Sequence, residues 1–207
     1  MKKSQLKRRW KDEDFIQGLS FPLDRLPSEI ELQGADIRGA VKLGLDFPLH
    51  LFQLYQVSTS NVDFTYSDGA LGIRQSVLSS CSFDEFKFDR ASSFYNSSFT
   101  KCSFLSCRLR ADISDCTFTD CNFDSSKFAG GSSEYGFTRC VFENCSFSEA
   151  EWKGTFFKAC KFIDCDLKGF KVSKSLVTAI SHVGCSGDIE EVFVGSEVRR
   201  ISVLNRD

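Results

Sequence analysis

A five-residue period runs through the middle of the chain and limits what it can fold into more than any other feature. Its centres are Phe83, Phe88, Phe94, Phe99, Phe104, Leu109, Ile113, Phe118, Phe123 and Phe128. After a poor unit near Ser133 it resumes at Phe137, Phe142, Phe147, Trp152, Phe157, Phe162, Leu167, Val172 and Val177. A step of five fits neither an α-helix at 3.6 nor a plain strand at 2.0. It fits a short strand followed by a corner. The centre and the residue two before it share one face, and the other three residues turn outward and round the bend. A single unit cannot bury its Phe, so the units must wind and stack.

Nine of the ten cysteines sit two residues before a Phe or Leu centre, and only Cys185 does not. That regularity argues for small apolar fillers that face inward beside the phenylalanines. Stacked cysteines would come within disulfide range by distance alone. Parallel side-chain directions and a reducing compartment argue against bridging. A metal reading of the Cys-x4-Cys pairs would place them on adjacent walls of a Phe-packed interior with no room for an ion.

The segments "CSFDEFKFDR", "CTFTDCNFDSSKF" and "CVFENCSFSEAEW" resemble pentapeptide-repeat proteins, whose usual unit is Ala/Cys-Asp/Asn-Leu/Phe-x-x. The resemblance covers Ser76 to Leu176 and implies an all-β fold: a right-handed four-sided parallel β-helix with four units per coil. Every fourth centre should then stack at about 4.8 Å. Counting from Phe83 predicts a Phe ladder of Phe83, Phe104, Phe123, Phe142 and Phe162 on the first face. A Cys ladder of Cys81, Cys102, Cys121, Cys140 and Cys160 accompanies it, with coil lengths of 21, 19, 19 and 20 residues. Five to six coils are expected.

The flanks read as caps. Residues 1–57 form an N-terminal cap. In it, "SQLKRRWKDEDFIQ" suits one short helix with Ser4 as N-cap, Gly18 as the stop and Leu6, Trp10 and Ile16 inward. Pro22 and Pro27 mark an extended connection, Pro48 breaks any regular run, and "GADIRGA" resembles a degenerate unit. The β-helix occupies residues 58–182. Residues 183–207 form a C-terminal segment that either caps the last coil or makes a homodimer contact, as C-terminal ends do in several members of the family.

No catalytic chemistry stands out. His50 and His182 have no nearby Cys or carboxylate pattern resembling a triad or zinc motif. In "GADIRGAVK", Ala40 and Val41 stand where a phosphate loop needs Lys and Ser/Thr. The expectation is a protein that is not an enzyme and takes no cofactor or metal. The opening residues are charged throughout and no apolar run could cross a bilayer, so a cytoplasmic location with no membrane contact is expected.

Function should therefore lie on the outer faces. The second face reads as mostly basic, with Lys87, Arg108, Arg110, Lys127 and Lys168 as the candidate interaction residues for an unidentified protein partner. The first face mixes Asp84, Asp124 and Glu143 with Leu105, Val141, Lys161 and Ile163. The alternative comes from the family resemblance: several members resemble a DNA duplex in shape and charge and protect type II topoisomerases such as DNA gyrase. Residues 58–182 carry 15 acidic and 14 basic side chains, a near-neutral rod that disfavours this alternative.

Overall fold

The computed structural model describes residues 1–19, 32–40, 52–129 and 135–205. Pro22, Pro27, Pro48, His50 and the unit near Ser133 lie outside the described residues. The repeats wind into an all-β parallel solenoid with four walls. The first wall is a line of parallel bridges, Asp36–Asp63–Ser82–Ser103–Asn122–Ser146–Asp166–Ser186. Eight rungs make about seven turns, one or two more than the sequence predicts. The added turns come from Asp36, which bridges Asp63, and from Ile201–Val203, which pairs with Leu176–Val183.

Strands of two or three residues build the second wall, from Asp68–Gly69 through Lys87–Phe88, Arg108–Leu109, Lys127–Ala129 and Glu151–Lys153 to Lys171–Ser173. The third wall runs from Phe52–Tyr55 through Leu71–Arg74, Ser92–Tyr95 and Ala111–Ser114 to Gly136–Thr138. The fourth runs from Ser58–Ser60 through Val77–Ser79, Ser98–Thr100 and Thr117–Thr119 to Val141–Glu143. Phe156–Ile163 and Leu176–Val183 each span the third and fourth walls without a break. The step of five goes with a corner residue in a left-handed conformation, found after most rungs of the first, third and fourth walls but not after Lys87–Phe88 or Arg108–Leu109 of the second. Examples are Glu85 (φ 52°), Asn96 (φ 46°) and Lys101 (φ 55°). That conformation costs most L-residues about 1–2 kcal/mol and Asn or Asp less. Asn61, Asn96, Asp115, Asp120, Asn144 and Asp164 accordingly occupy such corners.

The predicted ladders are each split by the structure. Phe83, Phe104 and Phe123 do stack, at centroid distances of 4.9 and 4.7 Å, but the column continues to Phe147 at 5.1 Å with the rings 4° from parallel. Phe142 meets Phe123 edge-on at 80°. Phe142 and Phe162 belong to the fourth wall, where Phe142 stacks on Phe118. The cysteine column likewise passes from Cys121 to Cys145, Cys165 and Cys185, because Ser146, Asp166 and Ser186 carry on the first wall. Cys140 and Cys160 stand above Cys116. The cause is one coil of 24 residues between Phe123 and Phe147. Phe137 pairs directly with Ile113 on the third wall, so the chain passes from the second wall at Phe128 to the third at Phe137 in nine residues. Counting a unit near Ser133 shifts every later residue by one wall.

From Asp63 onward, all of the variation in coil length falls between the second and third walls. From second to third wall the spacing between centres is 4 from Gly69 to Ile73, 6 from Phe88 to Phe94, 4 from Leu109 to Ile113 and 9 from Phe128 to Phe137. The other three corners keep the step of five in every described coil.

The thiols do more than fill space. All ten cysteines are free. In the first-wall column, Cys102, Cys121, Cys145 and Cys165 donate from Sγ to the carbonyls of Leu78, Phe99, Phe118 and Phe142 in the coil below, at 3.3–3.6 Å. Burial pushes the Cys107 thiol well above its ordinary value and that of Cys116 up to about 12, so both stay protonated.

Two short helices replace the single one expected over residues 4–17: α1, Lys3–Arg9, and α2, Glu13–Gln17. The break occurs because the Asp12 carboxylate accepts from the backbone N–H groups of Asp14 and Phe15 and starts a second helix. Lys2, not Ser4, is the first N-cap. Leu6 is buried, whereas Trp10 and Ile16 are half-buried. α1 lies along the corner between the first and second walls. Arg9, Lys7 and Lys3 pair with Asp36, Asp68 and Glu85, one in each of three successive coils.

Burial opposes ionisation of Asp36, but hydrogen bonds from Arg9 and Arg38 overcome it and hold the carboxyl well below the usual range. A depressed folded value means the stabilisation is complete above the unfolded pKa of ~3.9 and is lost as pH falls through the folded one. The melting-temperature difference between wild type and Asp36→Asn is therefore expected to be full near pH ~6 and to shrink below ~4. A difference independent of pH would remove the ion pair from the cap's energetics.

At the far end, α3, Ile189–Val192, is capped by Asp188, which accepts from the Glu190 N–H. Ile189, Val192 and Phe193 are buried, and Phe193 meets Phe157 edge-on at 5.6 Å. Glu197–Val198 and Ile201–Val203 then pair with Leu176–Val183.

Candidate interaction surfaces

The register places Lys87, Arg108 and Lys127 in one column of the second wall, on consecutive rungs, all exposed. They point outward because Phe88, Leu109 and Phe128, one residue on, fill the core. Arg110 stands two residues beyond Arg108, at the edge toward the third wall. Lys168 is not on this wall. It follows Leu167 on the first wall, and its N–H bonds the Asp166 carboxylate. The column continues through Glu151 to Lys171, and Lys153 flanks it. Asp68 begins the column and is paired with Lys7 of α1. Lys153 and Lys171 escape a count that includes a unit at Ser133; Gly154, left-handed in the structure, is the one residue whose type hints at a regular corner there.

The same correction changes the first wall. Val141, Glu143, Lys161 and Ile163 belong to the fourth. From Asn61 to Asp188, the first wall and its two bordering corners hold nine carboxylates. Asp63, Asp84, Asp124, Asp166 and Asp188 lie on the wall, and Glu85, Asp120, Glu149 and Asp164 at the corners. Lys101 and Lys168 lie among them, Arg38 of the first rung pairs with Asp63, and Lys3 of α1 pairs with Glu85. Hydroxyls of the next coil fix several of these acids. Asp84 accepts from Ser103 Oγ and, at 3.0 Å, from the Leu105 N–H. Asp124 accepts from Ser146 Oγ at 2.5 Å and the Ser148 N–H at 2.8 Å. The Ser186 hydroxyl, 2.6 Å from Asp166, holds its carboxyl below the ordinary range. The near-neutral rod is thus a sum over an acidic wall and an adjacent basic one.

Among the described residues, no group of three or more His, Cys, Asp or Glu is arranged to hold a metal. No helix among them is long and apolar enough to cross a membrane. His182 continues the fourth-wall column, between Phe162 and Val203.

A family model of pentapeptide repeats matches residues 137–175 in eight copies. Comparison with curated proteins finds no match. Among solved structures, a trypsin-treated form of QnrB1, a plasmid-mediated fluoroquinolone resistance protein, is similar at 15% identity, covering 82% of this chain and 90% of that one with a TM-score of 0.39. Rfr23, a pentapeptide repeat protein from the cyanobacterium Cyanothece 51142, is similar at 11% identity over 69% and 88% of the two chains, with a TM-score of 0.29. HetL, a pentapeptide repeat protein involved in heterocyst differentiation regulation in Nostoc sp. strain PCC 7120, is similar at 10% identity over 74% and 87%, with a TM-score of 0.28.

Proposed function

From the premise that this chain is a pentapeptide-repeat protein, we propose that it is a non-enzymatic, rigid surface for binding another protein, with charge sorted by wall. The observation that carries this reading is the column Lys87–Arg108–Lys127, three exposed cations on consecutive rungs about 4.8 Å apart. The backbone that presents them is already ordered, so binding costs side-chain freedom alone, and a partner with a matching row of acids is favoured. Ten free thiols suit a reducing, cytoplasmic setting. The outer edge of Ile201–Val203, with Val198 and Val203 exposed, is where a second copy would add.

The test is a cross-linked capture from lysate, with Lys87, Arg108 and Lys127 all changed to Glu in a control bait of unchanged melting temperature. The expected result is a partner held by wild type and weakened at least about tenfold in the control. Equal capture by both baits would clear the second wall of a role.

A second reading is favoured by the first wall: modulation or protection of a type II topoisomerase. With Glu85 held by Lys3 and Asp63 by Arg38, an excess of five negative charges remains over a rise of ~29 Å, one per ~6 Å against the 3.4 Å per charge of a single DNA strand. On this reading the protein preserves supercoiling by DNA gyrase in the presence of a quinolone, and Asp120→Lys with Glu149→Lys removes the effect. Absence of protection by wild type at any ratio would end it.

A further inference from the structure

The third wall carries a feature that neither charged wall shares. Tyr55, Arg74 and Tyr95 are register partners on three consecutive rungs, so one exposed column reads Tyr–Arg–Tyr. The tyrosines are 46% and 47% exposed, among the few large apolar groups left open on the solenoid. Arg74 has no acidic partner among the described residues. At the adjoining corner, Gln56 Nε2 donates to Gln75 Oε1 at 3.0 Å, which leaves the Gln75 amide hydrogens free to donate outward. Asn96 is the next rung of that corner. Beyond it lies an open groove of about 330 Å³ lined by Gln75, Asn96, Thr117, Val77, the last 49% exposed, and the Asp115 carboxylate, which Arg139 neutralises.

We propose that this column binds a proline-rich segment of a partner protein in the polyproline II conformation, carrying an acidic residue between its prolines. Tyr55 and Tyr95 are two rungs apart, about 9.6 Å at ordinary strand spacing. A polyproline II helix repeats every three residues, about 9.3 Å, so prolines at i and i+3 fall on the two rings in register. Its backbone makes no internal hydrogen bonds, and its carbonyls accept from the free amides of Gln75 and Asn96. An acidic side chain on an intervening residue pairs with Arg74. Tyrosine and arginine are also the side chains that most often dominate protein interfaces. Single-stranded nucleic acid stacks on tyrosines too, but it needs a track of cations along its backbone. This column offers one, beside three neutral amides and a valine. The site is separate from the charged walls and stands whether or not they bind.

The test is fluorescence anisotropy of the full-length protein with a labelled peptide of four Pro-Pro-Glu repeats. A peptide of four Gly-Gly-Glu repeats has the same charge without the conformation, and a twelve-nucleotide oligothymidine is the third probe. Saturable binding of the proline peptide alone is expected below about 1 mM. Tyr95→Ala and Arg74→Glu should each weaken it about tenfold or more. Both side chains are exposed, so folding should survive; far-UV dichroism of each variant verifies that, and Tyr55→Ala provides a third variant. Equal binding of the glycine peptide would reduce the site to bare charge. Preferred binding of oligothymidine, lost in Tyr95→Ala, would make the column a nucleic-acid platform instead. No saturation by the proline peptide would also overturn the proposal.

Discussion

Replacing Phe123 by Ala is expected to lower the free energy of unfolding by about 3–5 kcal/mol, the usual range for a core Phe truncation. Phe123 is 1% exposed and lies between Phe104 and Phe147 in a stack of nearly parallel rings at 4.7 and 5.1 Å. It also meets Phe118, Phe142 and Trp152 edge-on. The coils above and below are fixed by their own backbone bonds and cannot collapse into the space left behind, which places the cost toward the upper end of the range. The readout is the urea midpoint at unchanged slope. An unmoved midpoint would mean that the stack is not what holds the coils together.

The second large effect is expected from Gly136→Ala. A Cβ at this position would fall 2.2 Å from the Phe156 carbonyl oxygen and 2.6 Å from its nitrogen, and neither backbone atom can move without breaking the third-wall ladder. Overpacking of this kind costs about 3 kcal/mol. In a chain of this size that corresponds to a fall in melting temperature of roughly 6–12 °C. A variant that melts with wild type would show that the strand Gly136–Thr138 is not tightly seated.

The fold was legible because the period of five is written in nearly every unit and has only one structural solution. The winding was legible too, but the assignment of residues to walls was secure only as far as Phe128. From there, nine residues lead to Phe137, and the spacing alone suits an advance of either one wall or two; the pairing of Ile113 with Phe137 shows that it is one. That single shift hid the acidity of the first wall and placed Lys168 among the basic residues while omitting Lys153 and Lys171. The break between α1 and α2 escaped notice for a different reason. Asp12 looks like one more charged residue on a helix face until its carboxylate is seen closing on the N–H groups of Asp14 and Phe15. Tyr55 and Tyr95 were hidden because aromatic residues in this chain usually mark centres, and these two follow a centre by one.

Because every change of coil length from Asp63 onward falls between the second and third walls, this edge works as an expansion joint. Closing a longer loop costs only logarithmically more with each added residue. The coil from Phe123 to Phe147 takes in four more residues than the 20-residue coil that follows it, and the rungs on either side stay paired. The other three edges behave as a fixed ruler. A lineage can therefore grow new material along one line of the rod without retuning the rest, and an engineer can attach cargo there at chosen rungs and know the distance between attachments in advance.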